Sequence, residues 1–224
     1  VSIGGELYRN GPYTLFKTSG DGSVGENYTT DNNGVLILKP KDRVEITGLV
    51  GGSSYKVKEV GGDDLDKFSI SYVITGGKNP SATDDGASGN LNTSSDASNV
   101  KRVSVTIKNK PLEATITINK IDSITELKLQ GAQFKVYGDE ALTKELITVE
   151  SQKDISTNIS GLMVGKTYYL REIAPDGYQD NNIVYKLEIN NVSEWAITSG
   201  SISNGKWSAS GKGRTLTGDE EYII

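Results

Sequence analysis

The sequence predicts an all-β protein built as two antiparallel β-sandwiches in tandem. Composition is the first observation behind that prediction: 26 Gly, 11 Tyr and 35% hydrophobic residues sit among many Thr, Ser, Val and Ile. That mixture suits pleated sheets, and no segment sustains a helical period. The second is pattern, since short runs of alternating apolar and polar residues are broken by Gly, Pro, Asn and Asp. The third is an internal repeat. Thr47-Gly-Leu-Val-Gly-Gly-Ser-Ser-Tyr-Lys-Val-Lys-Glu59-Val60 aligns without gaps to Ser160-Gly-Leu-Met-Val-Gly-Lys-Thr-Tyr-Tyr-Leu-Arg-Glu172-Ile173. The offset, 172 − 59 = 113, is close to half of the 224 residues, so two copies of one domain are expected.

Taken in order, the first copy (1–111) reads as strands near 12–17, 34–39, 42–47, 54–60, 67–75 and 99–109. Residues 76–99 are too polar to pack and too long for a hairpin turn, and are expected to form a mobile surface insert. Pro111 ends one strand before Ala114-Thr-Ile-Thr-Ile-Asn-Lys120 opens the next, which places the boundary there. The second copy (112–224) reads as strands near 114–121, 132–137, 154–159, 166–174, 182–189 and 193–199, with another from Glu220. A helical turn is expected over 140–146.

Alternation decides which side chains point inward. Tyr168, Leu170 and Glu172 share one face, and Tyr55, Val57 and Glu59 share another. Ile116, Ile118 and Lys120 lie together, as do Val103, Val105, Ile107 and Asn109. A lone inward polar residue at a strand end is usually half-solvated. Lys, Glu and Asn at inward strand ends form a set with a joint chemistry. An ammonium is disfavoured in an apolar core, and the neutral amine is a nucleophile. A nearby carboxyl can polarise an amide carbonyl and shuttle protons. An asparagine held against the amine has a high effective concentration. The product is an isopeptide bond between lysine and asparagine, with loss of ammonia.

These residues resemble a known family. Tyr168-Tyr-Leu-Arg-Glu-Ile-Ala-Pro-Asp-Gly-Tyr178 resembles the E-box of Gram-positive sortase-assembled pilins and collagen-adhesin B-type (CnaB) domains. Ile118-Asn-Lys120-Ile-Asp122 is similar to their lysine strand, and Gly131-Ala-Gln-Phe-Lys-Val-Tyr137 to their second strand. The resemblance implies Ig-like sandwiches in a pilus shaft or adhesin stalk, outside the cell and anchored to its wall. Expected partners are neighbouring pilin subunits or adhesin domains, with a host surface or matrix as a further candidate. It also implies that Glu59 and Glu172 promote bond formation, and that Lys120 and Asn109 are bonded residues.

The pattern is interrupted at both ends. The offset maps Asn109 onto Tyr222, so the partner of Lys120 is expected past Ile224; Asn190 and Asn191 end the wrong strand. It maps Lys120 onto Leu7. Matching Gly131-Ala-Gln-Phe134 to Gly11-Pro-Tyr13 puts the first copy's lysine before Val1, whereas alternation with Tyr13 and Leu15 points to Lys17.

Other functions find less support. A net charge of −5 without basic clusters argues against nucleic acid, and no apolar run is long enough for a bilayer. With no Cys and no His, thiolate chemistry, the usual zinc ligands and the usual general base are missing. No cofactor or metal is expected, although Asp63-Asp64-Leu65-Asp66 is a short acidic loop of the kind calcium uses. Trp195 and Trp207 are the aromatics a carbohydrate- or matrix-binding module would use, and more often such residues are packing.

Overall fold

The computed structural model describes residues 1–18, 24–62, 64–93, 102–218 and 220–224. It is all-β, with a single 3₁₀ turn at Leu65–Lys67 and no α-helix among the described residues. Its contacts divide the chain into unit 1, Val1–Asp63 and Ile70–Lys110, and unit 2, Asp64–Ser69 and Pro111–Ile224. The short 64–69 segment is tied to unit 2 by the Leu112 amide, which donates to the Lys67 carbonyl at 2.8 Å.

Unit 1 contains β1 (Ser2–Ile3), β2 (Glu6–Leu7), β3 (Pro12–Phe16), β4 (Gly25–Thr29), β5 (Arg43–Glu45), β6 (Ser54–Val57), β7 (Phe68–Thr75) except Phe68 and Ser69, β8 (Lys78–Thr83), β9 (Gly86–Asn90) and β10 (Ser104–Pro111) except Pro111. They form sheets in the orders β2-β1-β6-β9-β8, β4-β3-β5 and β10-β7. Two expectations are corrected here. Residues 34–39 are not a strand, because the Asp31 carboxylate accepts from the amides of Asn33 and Val35 and turns the chain; the strand beside β3 is β4. Nor are residues 76–99, in their described part, a loose insert. They fold back as the β8–β9 hairpin, which Lys56 and Lys58 hold by pairing with Asp85 at 2.5 and 2.9 Å. The small residues that made this stretch look unpackable are what let β9 lie against Tyr55. A Cβ on Gly89 would come within 2.7 Å of the Tyr55 hydroxyl, and Ala87 is fully buried. Positions 94–99, the start of the predicted 99–109 strand and Asp63 lie outside the described residues.

Unit 2 contains β11 (Glu113–Asn119), β12 (Gln133–Tyr137), β13 (Glu145–Glu150), β14 (Thr157–Met163), β15 (Thr167–Ile173), β16 (Val184–Asn191), β17 (Glu194–Ser203), β18 (Lys206–Ala209), β19 (Arg214–Thr217) and β20 (Glu221–Ile223). One sheet has the order β14-β11-β20. The other runs β13-β12-β15-β16-β17-β18, with β19 also on β17. The expected helical turn over 140–146 is instead a loop followed by β13. Asp139 accepts from the amides of Thr143 and Lys144 and closes that loop before Glu145.

The two sheets of unit 2 close on one core. Ile116, Ile118, Ile159 and Leu162 come from the first; Phe134, Val136, Leu170, Leu187, Ile197 and Leu216 from the second. Each is at most 1% exposed, so each contributes about 1.5–3 kcal/mol through burial. The alternation read from sequence is therefore the alternation that packs. Trp207 closes the β17–β18 edge: its ring covers Gly200 and its Nε1 donates to the Val184 carbonyl at 2.9 Å. Trp195 is 2% exposed, inside the core. Both tryptophans are occupied in packing.

Candidate functional site

In unit 2 the site begins with the pleat of β15. Tyr168, Leu170 and Glu172 all point inward and all are buried, so the strand carries a carboxylate into an apolar core. Across the sheet, Phe134 lies opposite Glu172, and Tyr185 opposite Leu170. On the facing sheet β11 sends Ile116 and Ile118 inward and ends one residue before Lys120. Lys120 Nζ reaches 2.9 Å from Glu172 Oε1, with the two side chains 16% and 3% exposed. Neither Glu172 oxygen makes an aligned hydrogen bond, so the contact is one of charge. A buried pair like this repays its desolvation only with excellent geometry, which makes it weak as a stabilising device.

Two tyrosines line the same place. The Tyr185 ring meets the Tyr222 ring edge-on at 5.9 Å. Burial, then Tyr222 and Glu172, push the Tyr185 phenol up to about 12. Tyr222 arrives on β20, which runs parallel to β11 with Tyr222 opposite Ile118. Next to Lys120, Asn119 is 4% exposed; its amide nitrogen donates to Glu221, and its carbonyl oxygen has no partner. Asn190 lies away from this set and donates to Glu194 at 2.7 Å.

In unit 1, Glu59 falls two residues past the end of β6 and is half-buried. Asn109 Nδ2 donates to Glu59 Oε1 at 2.9 Å, and Glu59 Oε2 is buried without a partner. The Glu59 backbone N–H donates to the Tyr72 hydroxyl at 3.0 Å. Glutamate and asparagine are thus together here, as glutamate and lysine are in unit 2, but Asn109, expected on the inward face, is exposed because the alternation of β10 lapses after Ile107.

Lys17 follows the end of β3 by one residue. β3 lies between β5 and β4, and β11 between β14 and β20, although β4 is antiparallel to β3 and β20 is parallel to β11. Leu15 pairs with Val44, and Ile118 pairs with Thr157. On the second strand of each pair the offset is 157 − 44 = 113; on the first it is 118 − 15 = 103, which carries Lys17 onto Lys120. The ammonium of Lys17 is not at Glu59, however. It contacts Glu26 Oε2 at 2.6 Å and the Tyr28 hydroxyl at 3.0 Å, and these bonds, Glu26 first, raise it above the usual lysine value. The inner face of β3 lines a cavity of about 700 Å³ with Val35, Leu36 and Ile37.

Among the described residues, unit 2 brings an amine to a carboxyl and unit 1 brings a carboxamide to a carboxyl. A buried carboxyl between an amine and a carboxamide can exchange protons with both. Sequence reasoning singles out both glutamates, Lys120, Asn109 and Lys17; the structure brings Lys120 to Glu172 and Asn109 to Glu59 but leaves Lys17 apart, and sequence reasoning misses Tyr72 and Tyr185. The signal was available, because 185 − 72 = 113 is the repeat offset and both are inward tyrosines. In the acidic stretch, Asp64 is paired with Lys67 at 2.6 Å, and no group of three possible metal-ligating residues occurs among the described residues.

Residues 114–201 match the family model described as SpaA, prealbumin-like fold domain. No curated protein matches the chain. Among solved structures, the C-terminal fragment of the pilus adhesin SpaC from Lactobacillus rhamnosus GG is 13% identical over 95% of this chain and 87% of that one, with a TM-score of 0.49. The open conformation of SpaC from the same bacterium is 14% identical with a TM-score of 0.47, and the chain spans 30% of its length. BcpA, the major pilin subunit of Bacillus cereus, is 13% identical over 98% of this chain and 95% of that one, with a TM-score of 0.29.

Proposed function

We propose that this chain, with a SpaA-type prealbumin-like domain over residues 114–201, is a structural segment of a bacterial pilus or adhesin stalk. It works outside a Gram-positive cell, anchored to the wall and joined to neighbouring subunits or domains, and it carries load through intramolecular isopeptide bonds. The observation that supports this most is Lys120 Nζ at 2.9 Å from the buried Glu172 carboxylate. A structural core has little use for that pair, and an amine that is to be acylated needs it.

In this reading Glu172 and Glu59 act as proton shuttles. The amine of lysine gives up a proton and attacks Cγ of asparagine. The carbon–nitrogen bond of the carboxamide breaks, and ammonia leaves with the proton the glutamate supplies. Lys120 is the bonded lysine of unit 2, and its partner amide has to come alongside β11 on the line of β20. In unit 1, Asn109 is the bonded asparagine and Lys17 its partner. Joining them requires β10 to run beside β3 as β20 runs beside β11, an edge that β4 holds here.

The test is intact mass under denaturing conditions, for the protein beside Glu59→Ala and Glu172→Ala. A deficit of one ammonia that one variant abolishes is expected. The full calculated mass in all three would overturn the isopeptide part of the reading.

A further inference from the structure

We propose that Tyr72 is a positioning residue for the Glu59–Asn109 pair, holding the glutamate backbone so that its carboxylate meets the asparagine amide. This deepens the isopeptide reading of unit 1 and rests on it for its chemical meaning, though the positioning itself does not depend on a bond being made.

β6 ends at Val57, so the ladder with β9 that holds Tyr55 and Val57 no longer reaches Glu59. A residue past the end of a strand has a free N–H and a floppy side-chain origin. Tyr72 supplies the missing acceptor. Its hydroxyl takes the Glu59 N–H at 3.0 Å, and its ring is 9% exposed, so the oxygen that fixes Glu59 is itself fixed by packing. Tyr72 stands on β7, and β7 pairs with β10, the strand that carries Asn109. One hydroxyl therefore ties the end of the glutamate strand to the sheet that presents the asparagine. That link places Glu59 Oε1 2.9 Å from Asn109 Nδ2.

Unit 2 explains why the repeat keeps a tyrosine at this place while using it differently. Glu172 lies inside β15, where Phe134 pairs with it, so its backbone needs no outside acceptor. Tyr185, the residue 113 positions after Tyr72, packs instead on Tyr222. The hydroxyl of Tyr72 is a requirement only where the glutamate has run past its strand.

The experiment compares the protein with Tyr72→Phe, which keeps the ring and removes the hydroxyl. The readouts are the rate of ammonia loss by intact mass, the thermal midpoint, and the NMR response of the Asn109 side-chain amide as Glu59 is titrated. If ammonia is lost from unit 1, Tyr72→Phe is expected to slow it about fivefold, as one neutral hydrogen bond allows, and to lower the thermal midpoint by about 2–8 °C. An equal rate would overturn the positioning role and leave the isopeptide reading standing. If no ammonia is lost, the isopeptide reading of unit 1 fails and the amide signal decides. A pH response of Asn109 that vanishes in Tyr72→Phe supports positioning, and one that persists overturns it. A protein carrying 3-fluorotyrosine in place of Tyr72 retains the hydroxyl and is expected to behave as the parent. Behaviour like that of Tyr72→Phe would overturn the role given to the hydroxyl.

Discussion

The Tyr178 hydroxyl donates to Asp122 Oδ2 at 2.8 Å, joining the end of the Tyr168–Tyr178 stretch to the residue two positions after Lys120. With the contact of Lys120 and Glu172, the two motifs of unit 2 are connected at two points 2.9 Å or less in length. The strand that carries the amine and the strand that carries the carboxyl are held at the site and again beyond it.

That second link predicts an acid sensitivity. The Asp122 carboxyl lies at about 2, held down first by the Thr125 amide, then by the Tyr178 hydroxyl and the Ile124 amide. A carboxyl lowered on folding contributes stability above its unfolded value, and the contribution disappears as pH falls through the folded value. Tyr178→Phe should therefore be less stable than the parent at pH 5, with the difference closing as pH falls from about 4 to about 2. Denaturant midpoints followed by circular dichroism across that range check it; a gap that stays constant would mean Asp122 is not the group responsible.

Glu172→Ala should leave Lys120 as a buried charge with no partner. Removing one member of such a pair costs about 3–5 kcal/mol, whereas replacing both by apolar residues is often neutral. Urea unfolding of Glu172→Ala should show that loss, and Lys120→Met combined with Glu172→Leu should recover most of it. If the double variant is as unstable as the single one, the core depends on those two side chains for more than charge balance.

The register of β3 predicts which lysine serves unit 1. Lys17→Ala should abolish any ammonia deficit that Asn109→Ala also abolishes, and Lys120→Ala should leave that deficit in place. Peptide mapping of the cross-linked product would locate the bond. A cross-link between Asn109 and any lysine other than Lys17 would show that strand register is the wrong guide.

Gly200 should not tolerate a side chain. A Cβ there would lie 2.6 Å from Trp207 Cζ2, and the backbone of Ser208 leaves it no room to move. Gly200→Ala is expected to displace β18 and cost about 1–3 kcal/mol as an overpacked site. Trp207 fluorescence should shift to the red as the ring lifts away from the sheet. An unchanged spectrum and stability would show that β18 adapts without loss.

Much of unit 2 is legible in the sequence because its strands obey one simple rule. Alternation alone puts Leu170 with Glu172 and Ile118 with Lys120, and both pairs pack as that rule requires. Strands β13, β18 and β19 do not stand out, because Glu145–Glu150 lies at a mostly exposed edge with only Ile147 and Val149 half-buried, and Lys206–Ala209 and Arg214–Thr217 are too short to show a period. In unit 1 the hairpin at 78–90 is hidden for a different reason. Its Gly, Ser and Ala residues look like a solvated loop until the Tyr55 ring is placed beneath them.

The sequence by itself determined the β class, the 113-residue repeat and which face of the long strands of unit 2 turns inward, since all three follow from local pattern and the two-residue pleat. It also aligned Glu59 with Glu172 across that repeat. Tertiary structure alone decided what Lys17 touches, because the pairing of β3 with β4 that brings Glu26 and Tyr28 to it is a contact across strands. It alone decided that a tyrosine hydroxyl holds Glu59, since the need for an acceptor arises only where β6 stops. Hydrogen-bonding partners across strands are set by register and by where each ladder ends, and neither is written in the alternation of a single strand.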